Sequence, residues 1–104
     1  MSLITDVVVV AMFNEDAAIA HVNAHLAATD SRKQQLEPLD MNAAGGTKVS
    51  SARVYAAAFN YVDWPGLRDA LLAAPWRLPE DVTVCVDGEG FSERFTPATP
   101  PVIR

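Results

Sequence analysis

Hydrophobic residues open the chain in a nearly unbroken block. From Thr5 to Phe13 the residues are apolar and largely β-branched, with Asp6 the one charged position. Such a run predicts a strand buried on both faces and therefore central in a sheet. Asn14 follows as the predicted N-cap of a helix, with Glu15 and Asp16 where the helix dipole favours acids. Ile19, Val22 and Leu26 recur at helical spacing, flanked by Ala18, and predict a buried stripe on a helix reaching about Ala28. The many alanines favour that helix and let it lie close to a sheet. Residues 29–51 carry a weaker pattern. Asp30 to Gln35 is polar and reads as loop. Leu36, Leu39 and Met41 could form a short strand that Pro38 holds to an edge, before Gly45-Gly46 marks a turn.

The second half repeats the strand–helix theme. Arg53 to Val62 predicts a strand with Val54, Ala56, Ala58, Asn60 and Val62 on one face, and Arg53, Tyr55, Ala57, Phe59 and Tyr61 on the other. Asp63 can cap a second helix that tolerates Pro65 in its first turn. Trp64, Leu67 and Leu71 form its stripe, broadened by Leu72, and Pro75 stops it. Val82, Val84 and Val86 alternate with Thr83, Cys85 and Asp87 in a third clear strand. Asp87-Gly-Glu-Gly is a turn signal, and Phe91 to Thr96 can return with Phe91, Glu93 and Phe95 on one face. The order β-α-(β)-β-α-β-β predicts an α+β fold, a ferredoxin-like two-layer sandwich with two helices on one face of a mostly antiparallel sheet. Residues 1–96 form the predicted domain. Residues 97–104, with three prolines, read as an extended C-terminal arm.

Composition narrows the function classes. Eight basic and 13 acidic side chains among 104 residues give a net charge of -5. Nucleic acids and anionic lipid both call for basic patches, so neither is expected as a partner. Half the residues are hydrophobic, too many for a disordered chain. The apolar run at Val7–Phe13 is too short for a membrane span, and Asp6 stands where a signal peptide would be positive. With Cys85 the one cysteine, no intrachain disulfide can form, and a cytoplasmic location is expected.

Candidate chemistry is sparse. His21 and His25 share a helix side, but a catalytic zinc usually takes three protein ligands, and Val22 replaces the Glu of the metalloprotease pattern. Cys85 sits between two valines on a strand and reads as a structural thiol. Gly45-Gly46-Thr47-Lys48 is a fragment of a phosphate loop without the remainder of the motif. Asp87, Glu89 and Glu93 make an acidic hairpin without the spacing of a calcium loop. No catalytic, cofactor-binding or metal residue is assigned, and no cofactor is expected.

The stripe Tyr55, Phe59 and Tyr61 is the most distinctive feature. If Val54, Ala56 and Ala58 face the helices, these aromatics occupy the open face of the sheet, joined by Cys85. Tyr55, Phe59, Tyr61 and Cys85 are therefore the candidate interface. The segment from Tyr55 to Phe95 resembles part of small, functionally uncharacterised proteins of actinobacteria and their phages. It shares an aromatic-bearing strand, a helix closed by Pro75-Trp76, Pro79, a valine strand and an acidic return. The resemblance implies a small accessory protein and brings no activity or catalytic residue. The expectation is a non-enzymatic interaction protein that forms a homodimer through the open face, with another protein as a further possible partner. The alternative is a small enzyme or ligand-binding protein of the dimeric α+β-barrel type, with a pocket near Tyr55, Asn60 and Tyr61.

Overall fold

The computed structural model describes residues 4–39 and 52–98. The fold is α+β, a five-stranded antiparallel sheet with two helices. The elements run β1 (Ile4–Ala11), α1 (Asp16–Thr29), β2 (Glu37–Pro38), β3 (Arg53–Asn60), α2 (Trp64–Ala73), β4 (Val82–Gly88) and β5 (Phe91–Phe95). A 3-10 turn at Pro79–Asp81 leads into β4. The sheet order is β2-β3-β1-β4-β5. The first strand is thus central, as its apolar run predicts, but only one of its faces is buried: Ile4 and Asp6 are exposed and Val8 and Val10 half-buried. It ends at Ala11, two residues early, and leaves Met12 and Phe13 exposed. Met41, the Gly45–Lys48 stretch and the tail beyond Ala98 lie outside the described residues. Pro97, assigned to the arm, is buried.

Register decides which side chains meet the helices. Val9 pairs with Tyr55 on one side and Val84 on the other, and Val84 pairs with Phe95. Val9, Tyr55 and Val84 of that row, with Val7, Ala11, Phe59, Val82 and Val86, belong to the same buried cluster as Ile19, Val22 and Leu26 of α1 and Leu67 and Leu71 of α2, and Phe95 packs against it. Both helices therefore pack on one sheet face. The alanine-rich α1 brings a thin stripe, and the large rings of Tyr55 and Phe59 fill the volume it leaves.

Local chemistry fixes the helix ends. Asn14 Oδ1 accepts from the Asp16 backbone N–H at 2.8 Å, so the capping carboxamide stands one residue before the N-cap, which is Glu15. Asp63 is the N-cap of α2, as predicted, and accepts from the Gly66 N–H at 3.4 Å. A Cβ at Gly66 would lie 2.6 Å from Asp63 Oδ2, so only glycine lets this carboxylate fold back over the turn. At the other end, Trp76 Nε1–H donates to the Leu71 carbonyl at 2.7 Å and satisfies one of the open acceptors.

Candidate functional site

The open face of the sheet is aliphatic. Val8 and Val10 of β1, Val54 and Ala56 of β3, and Thr83 and Cys85 of β4 are all half-buried there. Leu39, which continues the line of β2 by donating its N–H to the Val54 carbonyl at 2.8 Å, is 52% exposed. One cross-strand row reads Glu37, Ala56, Val8, Cys85, Arg94. Its centre is apolar, its β2 end carries a carboxylate and its β5 end a guanidinium. Asp6, paired with Ala58 and Asp87, makes the neighbouring row acidic.

The aromatic stripe is corrected by this register. Tyr55 and Phe59 lie on the helix side, 1% and 0% exposed, and cannot form part of an interface on the open face. Their partners Val9 and Thr5 belong to the buried set of β1. Cys85 does lie on the open face, but between Val8 and Arg94 instead of beside aromatic residues. Tyr61 lies past the end of β3. Its φ of 56° takes it out of the strand alternation, and the residue is 46% exposed.

Tyr61 enters a different feature. A cleft of about 320 Å³ lies where Ile4 and Thr5, the segment Tyr61–Pro65, and Glu89 and Phe91 converge. Strand pairing builds it: Thr5 stands opposite both Phe59 and Gly88, which brings the ends of β3 and β4 to the start of β1. Trp64 stacks on Phe91 with centroids 6.2 Å apart. Arg32 places its guanidinium 5.3 Å from the centroid of the Tyr61 ring. A pocket uniting Tyr55, Asn60 and Tyr61 is not formed. Tyr55 is in the core, and the Asn60 backbone is clamped by the side-chain amide of Gln34, which accepts from its N–H at 2.7 Å and donates to its carbonyl at 3.1 Å.

One buried polar cluster escaped the sequence reading. Glu15, read from the sequence as an acid at the start of a helix, is 2% exposed. Its Oε1 accepts from the Arg77 N–H at 2.8 Å and its Oε2 from the Leu78 N–H at 3.0 Å. The Glu15 N–H donates to Tyr55 Oη at 3.3 Å, and the Tyr55 hydroxyl donates to Asp16 Oδ1 at 2.7 Å. Burial first, and then the Asp16 carboxylate accepting its proton, push the Tyr55 phenol above its ordinary pKa. With both carboxylate oxygens of Glu15 held by backbone N–H groups, the cluster ties the β1–α1 corner to the segment entering β4. It is a structural latch.

His21 is exposed and His25 half-buried on α1. Among the described residues no three His, Cys, Asp or Glu side chains group to hold a metal ion. No described helix is long and apolar enough to cross a membrane. No family model, curated protein or solved structure matches the chain.

Proposed function

We propose that this chain is a small cytoplasmic, non-enzymatic interaction protein that self-associates through the open face of its sheet. We assign its first four strands and two helices to the ferredoxin-like arrangement, with β5 added at the β4 edge. The observation that carries the function is the row Glu37, Ala56, Val8, Cys85, Arg94. Apolar centres with charged ends are the anatomy of interfaces. The two ends are also opposite in sign, with β1 between them. A two-fold axis lying between two such faces, parallel to β1, sets Glu37 of each copy over Arg94 of the other. Isologous pairing requires that kind of self-complementarity.

Size sets the strength. Five strands about 4.8 Å apart, the longest eight residues long, present a face of roughly 500 Å². Two such faces bury roughly 1,000 Å², the lower end for a specific interface, so a weak reversible dimer with a dissociation constant on the order of 100 μM is the expectation. Light scattering across about 10 μM to 1 mM protein tests it. The mass should rise from one chain to two with concentration, and Val8→Lys should hold it at one. A wild-type chain that stays monomeric at 1 mM overturns the proposal.

A further inference from the structure

Six large hydrophobic residues are exposed among the described residues, and three of them, Ile4, Tyr61 and Phe91, line the cleft at the start of β1. Of the three only Ile4 shares the alternation of the open face, whose apolar residues are mostly half-buried aliphatics. We propose that this cleft binds a small organic cation of the alkylammonium class.

Three observations converge on that chemistry. The first is the ring set. Tyr61, Trp64 and Phe91 offer aromatic surface within one cleft, and a ring face attracts a cation that sheds its water cheaply, as an alkylated ammonium does. The Arg32 guanidinium, 5.3 Å from the Tyr61 centroid, already makes a cation–π contact with this ring, and the ligand displaces it on binding. The second is the rim. Asp63 and Glu89 are the charged side chains lining the cleft, both acidic and both exposed. The positive end of α2 works against a bound cation, and Asp63, as its N-cap, offsets that dipole. Glu89 then adds negative charge from the β4–β5 turn, and the net charge of -5 favours the approach of cations. An anion would meet two carboxylates here, and a bare metal ion would find too few oxygen ligands among apolar walls.

The third is backbone geometry. Tyr61 holds a φ of 56°, a conformation that a residue with a large side chain seldom takes. Continued strand geometry would have carried its ring to the helix side, in line with Tyr55 and Phe59. The left-handed turn instead delivers it to the cleft. Strain of this kind persists where the surrounding structure over-determines it, and such positions cluster at binding sites. The volume of about 320 Å³ matches the lower range of small-molecule pockets, enough for a trimethylammonium head and a short chain.

The test compares choline with its uncharged isostere 3,3-dimethyl-1-butanol by amide NMR titration of the full chain. Choline should shift the amides around Tyr61, Trp64 and Glu89 with millimolar affinity, and the isostere should bind at least about fivefold more weakly. Tyr61→Gly keeps the positive φ accessible and removes the ring, so it should fold and bind choline about two- to fivefold more weakly. Asp63→Asn retains the helix cap without the charge, and with Glu89→Gln it should weaken choline while leaving the isostere unchanged. Equal binding of choline and isostere overturns the proposal. So does an absence of shifts in the cleft, or a folded Tyr61→Gly chain that binds choline like the wild type.

Discussion

Tyr55→Phe isolates the assignment of the aromatic stripe to the core. The ring stays, so packing is preserved and only the hydroxyl is removed. In the wild type that hydroxyl donates to Asp16 Oδ1 at 2.7 Å and accepts from the Glu15 N–H at 3.3 Å. The first is a short hydrogen bond to a charged partner, a class worth about 1.5–3 kcal/mol. Asp16 is exposed, so water recovers part of that loss. The Glu15 N–H sits on a buried residue and recovers less. A net destabilisation of about 2 kcal/mol follows, which lowers Tm by roughly 8–16 °C in a domain of this size. Urea unfolding followed by circular dichroism measures it, with an unchanged m-value showing that only stability moved. Asp16→Ala should couple to Tyr55→Phe by about 1 kcal/mol in a double-mutant cycle, since the two groups share one bond. A solvent-facing Tyr55 would give a change within about 0.5 kcal/mol and no coupling. Either of those results would refute the register.

Three other outcomes are expected. Glu15→Ala leaves the Arg77 and Leu78 amides without their shared carboxylate and should cost about 3 kcal/mol in urea unfolding. The Tyr55 phenol has a folded pKa above its ordinary value of 10.0, so its contribution to stability is complete below pH 10 and is lost as pH rises towards the folded pKa. An ultraviolet alkaline titration of the folded protein should show a late phenolate step that is missing from Tyr55→Phe. Gly88→Ala would place a Cβ 2.2 Å from Phe91 Cε1; the ring must move, stability should fall by about 1–3 kcal/mol, and the fluorescence of the stacked Trp64 should change.

Element positions were legible because both helices repeat apolar residues at helical spacing and because Asp63, Pro65 and Pro75 punctuate the second one. The face of β3 was not legible. Val54, Ala56 and Ala58 make as plausible an inner row as Tyr55, Ala57 and Phe59, and the apolar run Val7–Ala11 of β1 does not break the tie. Volume breaks it: an alanine-rich α1 leaves space under the helices that valine and alanine from β3 would not fill, and two aromatic rings do. The burial of Glu15 was not legible because its carboxylate is satisfied by amides 62 and 63 residues away, beyond any local pattern. The cleft escaped for a similar reason, since it joins three segments that only the sheet pairing brings together. Its one local trace is Tyr61, placed just where the β3 alternation stops and before the Asp63 cap.

Self-association with opposed charges is the central claim, and sedimentation equilibrium of four chains tests it most directly. Wild type should dimerise. Glu37→Arg alone and Arg94→Glu alone should each weaken the dimer by roughly fivefold or more, since the symmetry repeats each like-charge contact twice. The chain carrying both reversals should return to near the wild-type dissociation constant. A monomeric wild type, or a double reversal no tighter than either single one, would contradict the account.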